Sequence, residues 1–275
     1  MTQAPAKPHR SPMQTVAIAR KHTARTALLL AVLAVLALGF AAVGVHEEMF
    51  DLDYAVGTLA VGWAPDLAVV AAILGGLAFL AAILVPPRRD RIASLLALAL
   101  SAGVLAAAGQ VRTEVAGHPP IHDVATDWTD PLMFGAKLSA ARAGADNRVE
   151  AAPRVQAQPQ APNLTGTPIA EVNARTCPGA VPVVVTGSLQ AAYDKARAAM
   201  VRDGLVLVTE NPAGGRIEAT AVTRFLKLKG DVLVRIKPEG AGARIDIRSV
   251  SRMGIADLGE NCRRVTRLRT LMARE

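Results

Sequence analysis

Three stretches of the chain, at about 26–45, 67–85 and 92–109, contain no charged side chain and consist almost wholly of Leu, Ala, Val, Ile and Gly. Each is close to the roughly 20 residues that carry an α-helix across about 30 Å of hydrocarbon at 1.5 Å per residue. A helix buried in a soluble core has no need to be apolar on every side. The sequence therefore predicts three membrane-spanning helices within residues 26–110, and the rest of the chain must be arranged around them.

Charge placement gives an orientation. Residues 1–25 form a basic tail with Lys7, Arg10, Arg20, Lys21 and Arg25. The segment between the first two stretches has no Lys or Arg and carries Glu47, Glu48, Asp51, Asp53 and Asp66, whereas Pro86-Pro87-Arg88-Arg89-Asp90-Arg91 is basic again. Positive residues are retained on the cytoplasmic side. The expected topology is a multi-pass protein of a bacterial inner membrane with a cytoplasmic N-terminus and everything after Gln110 in the periplasm. A cleaved signal peptide competes for the first stretch, but the long preceding tail and the length of the apolar run favour an uncleaved anchor. Inside the spans, Ser94, Ser101 and Gly75-Gly76 suit close helix packing better than transport. The lipid bilayer is thus the first expected partner.

The net charge is +8, of which +6 lies after residue 110, where 23 Lys and Arg face 17 Asp and Glu. On a membrane surface such a surplus attracts anionic lipid head groups. The expected topology removes the domain from nucleic acid.

Beyond the spans, residues 111–136 are expected to form a fixed loop, since Pro119-Pro120 and Asp130-Pro131 forbid a continuous helix. Residues 137–175, rich in Ala, Pro (Pro153, Pro159, Pro162, Pro168) and Gln, are expected to be a poorly structured linker. A soluble domain follows over 176–275. Ser188 can cap a helix that Gly204 ends. Strand-like runs follow at 205–209, 216–225, 231–237 and 244–250, separated by Gly- and Pro-containing turns too short for crossover helices. Asp257 then starts a second helix, with Leu258, Cys262, Val265, Leu268 and Met272 at helical spacing. The expected fold is a membrane-anchored α+β protein: three transmembrane helices, then a two-layer domain with an antiparallel four-stranded sheet and two helices.

Three segments carry a family resemblance. They are Pro119-Pro120-Ile121-His122-Asp123 with Thr126-Asp127 and Asp130-Pro131; Gly215–Thr220 with Asp231–Ile236; and Ile245–Gly254 with Asp257–Asn261. Together they resemble the domain-of-unknown-function family 1499 over about residues 118–275. The resemblance implies a membrane-attached or exported domain with no established activity. This chain departs from the family pattern after Phe225, where Leu226-Lys227-Leu228-Lys229 follows.

Candidate chemistry is sparse. His118, His122, Asp123, Asp127 and Asp130 bring metal-type ligands together around two prolines; a loop bonded to itself through Asp side chains explains them better, and no metal or other cofactor is expected. Cys177 and Cys262, the only cysteines, are either a structural disulfide on the oxidising side or two small buried residues. Arg248, Ser249, Ser251 and Arg252 leave a strand, turn at Gly254 and approach a helix start, a pattern that suits an anion; the competing explanation pairs the arginines with Asp246, Glu218 or Glu260. Alternation sets Arg248 with Arg244 and Asp246, opposite Ile245 and Ile247, on the face expected to be solvated. All five His lie at or before position 122, so no serine here has a downstream His partner. The candidate binding residues are Arg248, Ser249, Ser251, Arg252, His122, Asp123 and Asp127. The expected function is a non-catalytic binding or envelope-associated domain facing the periplasm, with an anionic lipid or an envelope protein as partner. The alternative is an envelope enzyme using the Asp/His loop near residues 118–130.

Overall fold

The computed structural model describes residues 12–86, 90–158 and 161–273. Lys7, Arg10, Pro87, Arg88, Arg89 and Pro159 lie outside the described residues. The chain divides into two compact units, Met1–Gly44 with Tyr54–Arg112, and Val45–Asp53 with Thr113–Glu275.

The first unit is helical. Helix α1 (Pro12–His46) is followed by a π-helical segment, Tyr54–Trp63, that runs directly into α2 (Ala64–Leu84), and α3 (Arg91–Gly117) completes the set. All three helical stretches are long and apolar enough to cross a membrane. Small side chains make the internal contacts: Ala27, Ala31, Ala71 and Ala97 in one cluster, Ala34, Ala64, Ala68 and Val104 in another. A Cβ added at Gly75 would stand 3.4 Å from Ala97 Cβ and from the Ser94 carbonyl, so this glycine permits α2 and α3 to approach closely. Leu29, Leu36, Phe40, Ile73, Leu77 and Ile92 point outward and are exposed. Small residues inside and large apolar residues outside invert the arrangement of a water-soluble bundle.

The second unit is built on one antiparallel sheet of six strands, not the expected four. These are β1 (Asp123–Ala125), β2 (Val183–Thr186), β3 (Val206–Asn211), β4 (Arg216–Val222), β5 (Lys229–Glu239) and β6 (Gly242–Ser251). The four later strands form the expected meander, β3-β4-β5-β6. β1 and β2 lie end to end along the outer edge of β6, with Val124 opposite Ser249 and Val183 opposite Ile245. Alternation could not reveal them: β1 is three residues long beside two prolines, and β2 is a short run of valines with no polar face. Where β4 begins, Gly215 has φ +58°, and a Cβ there would lie 2.2 Å from the Ile236 carbonyl oxygen, so only glycine fits.

Four helices accompany the sheet: α4 (Ala136–Ala141), α5 (Ile169–Thr176), α6 (Leu189–Arg202) and α7 (Glu260–Ala273). Ser188 caps α6 as expected, its Oγ accepting from the Ala191 amide at 3.1 Å. α7 starts later than the sequence suggested, because the Asp257 carboxylate caps it by accepting from the amides of Gly259 (2.9 Å) and Asn261 (2.8 Å). Ile217, Ala219, Val232, Val234, Ile236, Ile245 and Ile247 pack with Ile169, Val172, Ala196, Met200, Val265, Leu268 and Met272 in one apolar core. Cys177, just after α5, is joined by a disulfide to Cys262 in α7, with the Cα atoms 5.8 Å apart. Of the two readings of the cysteines, the structure holds the disulfide.

The expected linker is a correction. Residues 137–175 hold most of α4 and nearly all of α5, and bury Leu138, Val155, Ile169 and Val172. The backbone also folds back on itself there, Val155 N donating to Thr167 O at 2.9 Å and Gly166 N to Val155 O at 2.9 Å. Low-complexity composition hid the few large residues that fasten the segment. It follows that a fragment of residues 171–275 lacks β1 and much of the buried surface. A fragment of 113–275 should be soluble with a cooperative unfolding transition, and 171–275 should not; circular dichroism of a well-folded 171–275 would contradict this.

Candidate functional site

The residues singled out by sequence meet on adjacent strands. β1 pairs with the end of β6, Asp123 opposite Val250 and Ala125 opposite Arg248, and the His122 carbonyl accepts from Ser251 N at 2.9 Å. Side-chain alternation then divides the set between the two sheet faces. Ser249 and Ser251 share the helix face with Ile245 and Ile247. Arg244, Asp246 and Arg248 share the other face with Asp231 and Arg235 of β5 and Glu218 of β4, as the registers Asp231↔Val250, Arg235↔Asp246 and Glu218↔Leu233 require.

That second face is covered over most of its area. Residues from about 126 to 150 cross over it, and Asp123, Glu218, Asp231, Asp246 and Arg248 are all 0% exposed. The expectation of a wet Arg248 is overturned because periodicity reports which face a residue takes, not what later covers that face. Arg248 forms a bidentate pair with Asp123 through Nε (3.0 Å) and Nη2 (2.6 Å). Its remaining N–H groups reach the carbonyls of Leu132 and Glu150, each at 2.7 Å, and the Trp128 ring lies 5.2 Å from the guanidinium. With Met133 Sδ at 3.6 Å from Nη1, every donor direction of the planar fork meets either Asp123 of β1 or the cover.

Asp231 is the second centre. Its Oδ1 accepts from Thr220 Oγ1 (2.7 Å) and Arg252 Nη2 (2.8 Å), and its Oδ2 from Arg252 Nε (2.8 Å) and Arg142 Nη1 (2.5 Å). Four donors fill the capacity of one carboxylate. Burial alone would push the Asp231 carboxyl up, but the bonds from Arg252, Thr220 and Arg142 outweigh it and hold the group below the usual carboxylate range. Glu218 Oε1 accepts from Gly135 N (2.6 Å) and Arg216 Nη2 (2.8 Å). Arg216 also donates to the Met133 carbonyl.

Asp246 and Asp127 form a third, wetter group. Arg244 bridges them at 2.8 Å each, and Arg235 adds Asp246 at 2.8 Å and Asp130 at 2.9 Å. Asp127 Oδ1 also accepts from Thr129 N (2.9 Å) and Thr129 Oγ1 (2.7 Å), the self-bonded loop expected of these aspartates. The arginine partners differ from those anticipated: Arg248 takes Asp123 and Arg252 takes Asp231, rather than Asp246, Glu218 or Glu260. The sequence reading does not include Arg142 and Asp231 in the layer, and Glu218, expected to pair with Arg248 or Arg252, pairs with Arg216 instead. Asp231 and Glu218 are carboxylates inside strong strand patterns, which is the signal a sequence offers; Arg142 sat in the supposed linker and offered none.

On the helix face, Ser249 Oγ lies 2.6 Å from Asn261 Oδ1, and Arg264 Nη1 donates to both, at 3.1 and 3.0 Å. Asn261 Nδ2 donates to the His122 carbonyl at 2.8 Å and to Ser251 Oγ at 3.0 Å. His122 is itself buried with no hydrogen-bond partner for Nδ1. Burial lowers its pKa, against opposing pulls from Asp123, Ile255 and Asp257. His118 stays at the end of α3, bonded to the Glu114 carbonyl at 2.9 Å. Among the described residues, no group of three His, Cys, Asp or Glu side chains is placed to hold a metal ion.

A family model described as "Protein of unknown function (DUF1499)" matches residues 123–272. The chain belongs to the DUF1499 family. No curated protein matches the sequence. The matched region opens at Asp123 and includes the side chains of all three charge centres, so the DUF1499 domain contains the segment that composition assigned to a linker.

His122 makes stability depend on pH in a defined direction. Its folded pKa lies below the ordinary value of about 6.5, so its contribution is complete above that pH and is lost as pH falls through the folded pKa. His122→Gln should flatten the fall in melting temperature below about pH 6.5. An unchanged pH profile would show that His122 does not report on folding.

Proposed function

We propose that this protein is a multi-pass inner-membrane protein whose DUF1499 domain faces the periplasm and serves as a non-catalytic binding or envelope-associated module. The observation that carries the non-catalytic reading is the internal pairing of the charged side chains. Asp123, Asp127, Arg248 and Arg252 are held by charged partners within the unit. An enzyme working through residues 118–130 would need Asp123 or Asp127 available as acid or base; Arg248 holds the first, and Arg244 with Thr129 holds the second.

The membrane part of the proposal is supported by the inverted bundle, with alanines inside and leucines outside. The orientation rests on charge. Eight Lys and Arg lie in residues 1–25 and 86–91, and none lies between the first two spans. The Cys177–Cys262 bond agrees with an oxidising compartment. Its anionic-lipid or envelope-protein partner is part of the same proposal, drawn from the +6 charge after residue 110.

Alkaline phosphatase fused after Glu275 should be active in cells, and a fluorescent protein that matures only in the cytosol should stay dark at the same position. A dark phosphatase with a bright fluorescent fusion would reverse the topology.

A further inference from the structure

The β4–β5 loop, residues 223–228, takes no part in the charged layer or the apolar core described above. It is closed by Thr223 N to Leu228 O and Leu228 N to Thr223 Oγ1, both 2.9 Å. At its tip Phe225 is 82% exposed, the most exposed large apolar side chain among the described residues, and it stands between exposed Arg224 and Lys227.

What lies beside the loop identifies the occupant. His46 Nδ1 donates to the Phe225 carbonyl at 2.7 Å, and Lys229 Nζ pairs with Glu48 at 2.7 Å. His46 directly follows Val45, the last residue of the first apolar stretch, whose 20 residues match about 30 Å of hydrocarbon. A residue held by His46 is therefore tied to the level where hydrocarbon gives way to head groups. Met49, three residues further on, is also exposed, at 60%. We propose that the tip of the β4–β5 loop, led by Phe225, inserts into the interfacial zone of the same bilayer that α1 crosses. The inference rests on the reading of α1 as a membrane span.

Aromatic side chains flanked by cations are favoured at that depth. The drive is apolar, not electrostatic. Arg224, Lys227 and Lys229 are offset by Glu47, Glu48, Asp51 and Asp53 on the adjoining segment, so the local surface has no positive excess to attract anionic lipid. The lipid contact should accordingly be insensitive to salt and to lipid charge.

The test uses the full chain in phosphatidylcholine nanodiscs, with the native cysteines left in their disulfide. Phe225→Cys, Arg224→Cys and Glu239→Cys each carry one fluorophore, and a nitroxide is placed on the lipid head group. Glu239 lies at the opposite end of the 11-residue β5, about 33 Å from Lys229. The labels at 225 and 224 should be quenched several-fold more than the label at 239, equally in discs containing phosphatidylglycerol and at high salt. Equal quenching at 225 and 239 in well-incorporated chain would overturn the loop insertion alone. Quenching that appears only in anionic discs at low salt would overturn its apolar basis. A chain that does not incorporate into discs at all would overturn the anchor reading, and this inference with it.

Discussion

The Arg248–Asp123 pair is the interaction on which the second unit depends. It joins the last strand of the sheet to the first, and it fastens the cover through the carbonyls of Leu132 and Glu150. A buried charge pair is a weak source of net stability compared with well-packed apolar residues, yet losing one member is costly because the other is left uncompensated. Its consequence here is geometric. With Arg248 in place, residues from about 126 to 150 have one way to lie across the sheet; a fully apolar second face would accept many.

The two faces of the sheet therefore do different work. Between the strands and α5, α6 and α7 lies an apolar core, closed by the Cys177–Cys262 disulfide. The opposite face is a layer of ion pairs centred on Asp123, Asp231 and Asp246. Its cover buries Leu132 and Leu138 and lays the Trp128 and Phe134 rings against Arg248 and Arg142. Guanidinium groups add directed contacts to that packing: Arg142 reaches out from the cover and Arg252 toward it to meet on Asp231. The surface left over for partners is then the exterior of the unit, including the loop beside His46, rather than the charged residues themselves.

Much of this was legible in the sequence. Three uncharged apolar stretches announce the helices, and Ile245 and Ile247 alternating with charged neighbours announce β6. Ser188 marks the start of α6. What was not legible came from tertiary cover. Alternation puts Arg248 opposite the isoleucines but cannot distinguish water from a buried layer, and β1 is too short to show any period. The linker reading failed because Pro and Ala dilute a segment without unfolding it; four buried anchors were enough to hold it. The charged strand residues that resemble a binding site are internal partners, and the complement of Arg248, Asp123, lies 125 residues away in sequence.

The claim that this pair organises the fold is tested most directly by a double-mutant cycle on Asp123→Leu and Arg248→Met, read by urea unfolding of the full chain. Each single change should cost about 3–5 kcal/mol, since each strands a buried charge. The double change should cost about as much as one single change, because neither charge is then left alone, giving a coupling energy of about 3 kcal/mol. Single-mutant losses that simply add, to within about 0.5 kcal/mol, would show that the two side chains do not act on each other and would contradict the account.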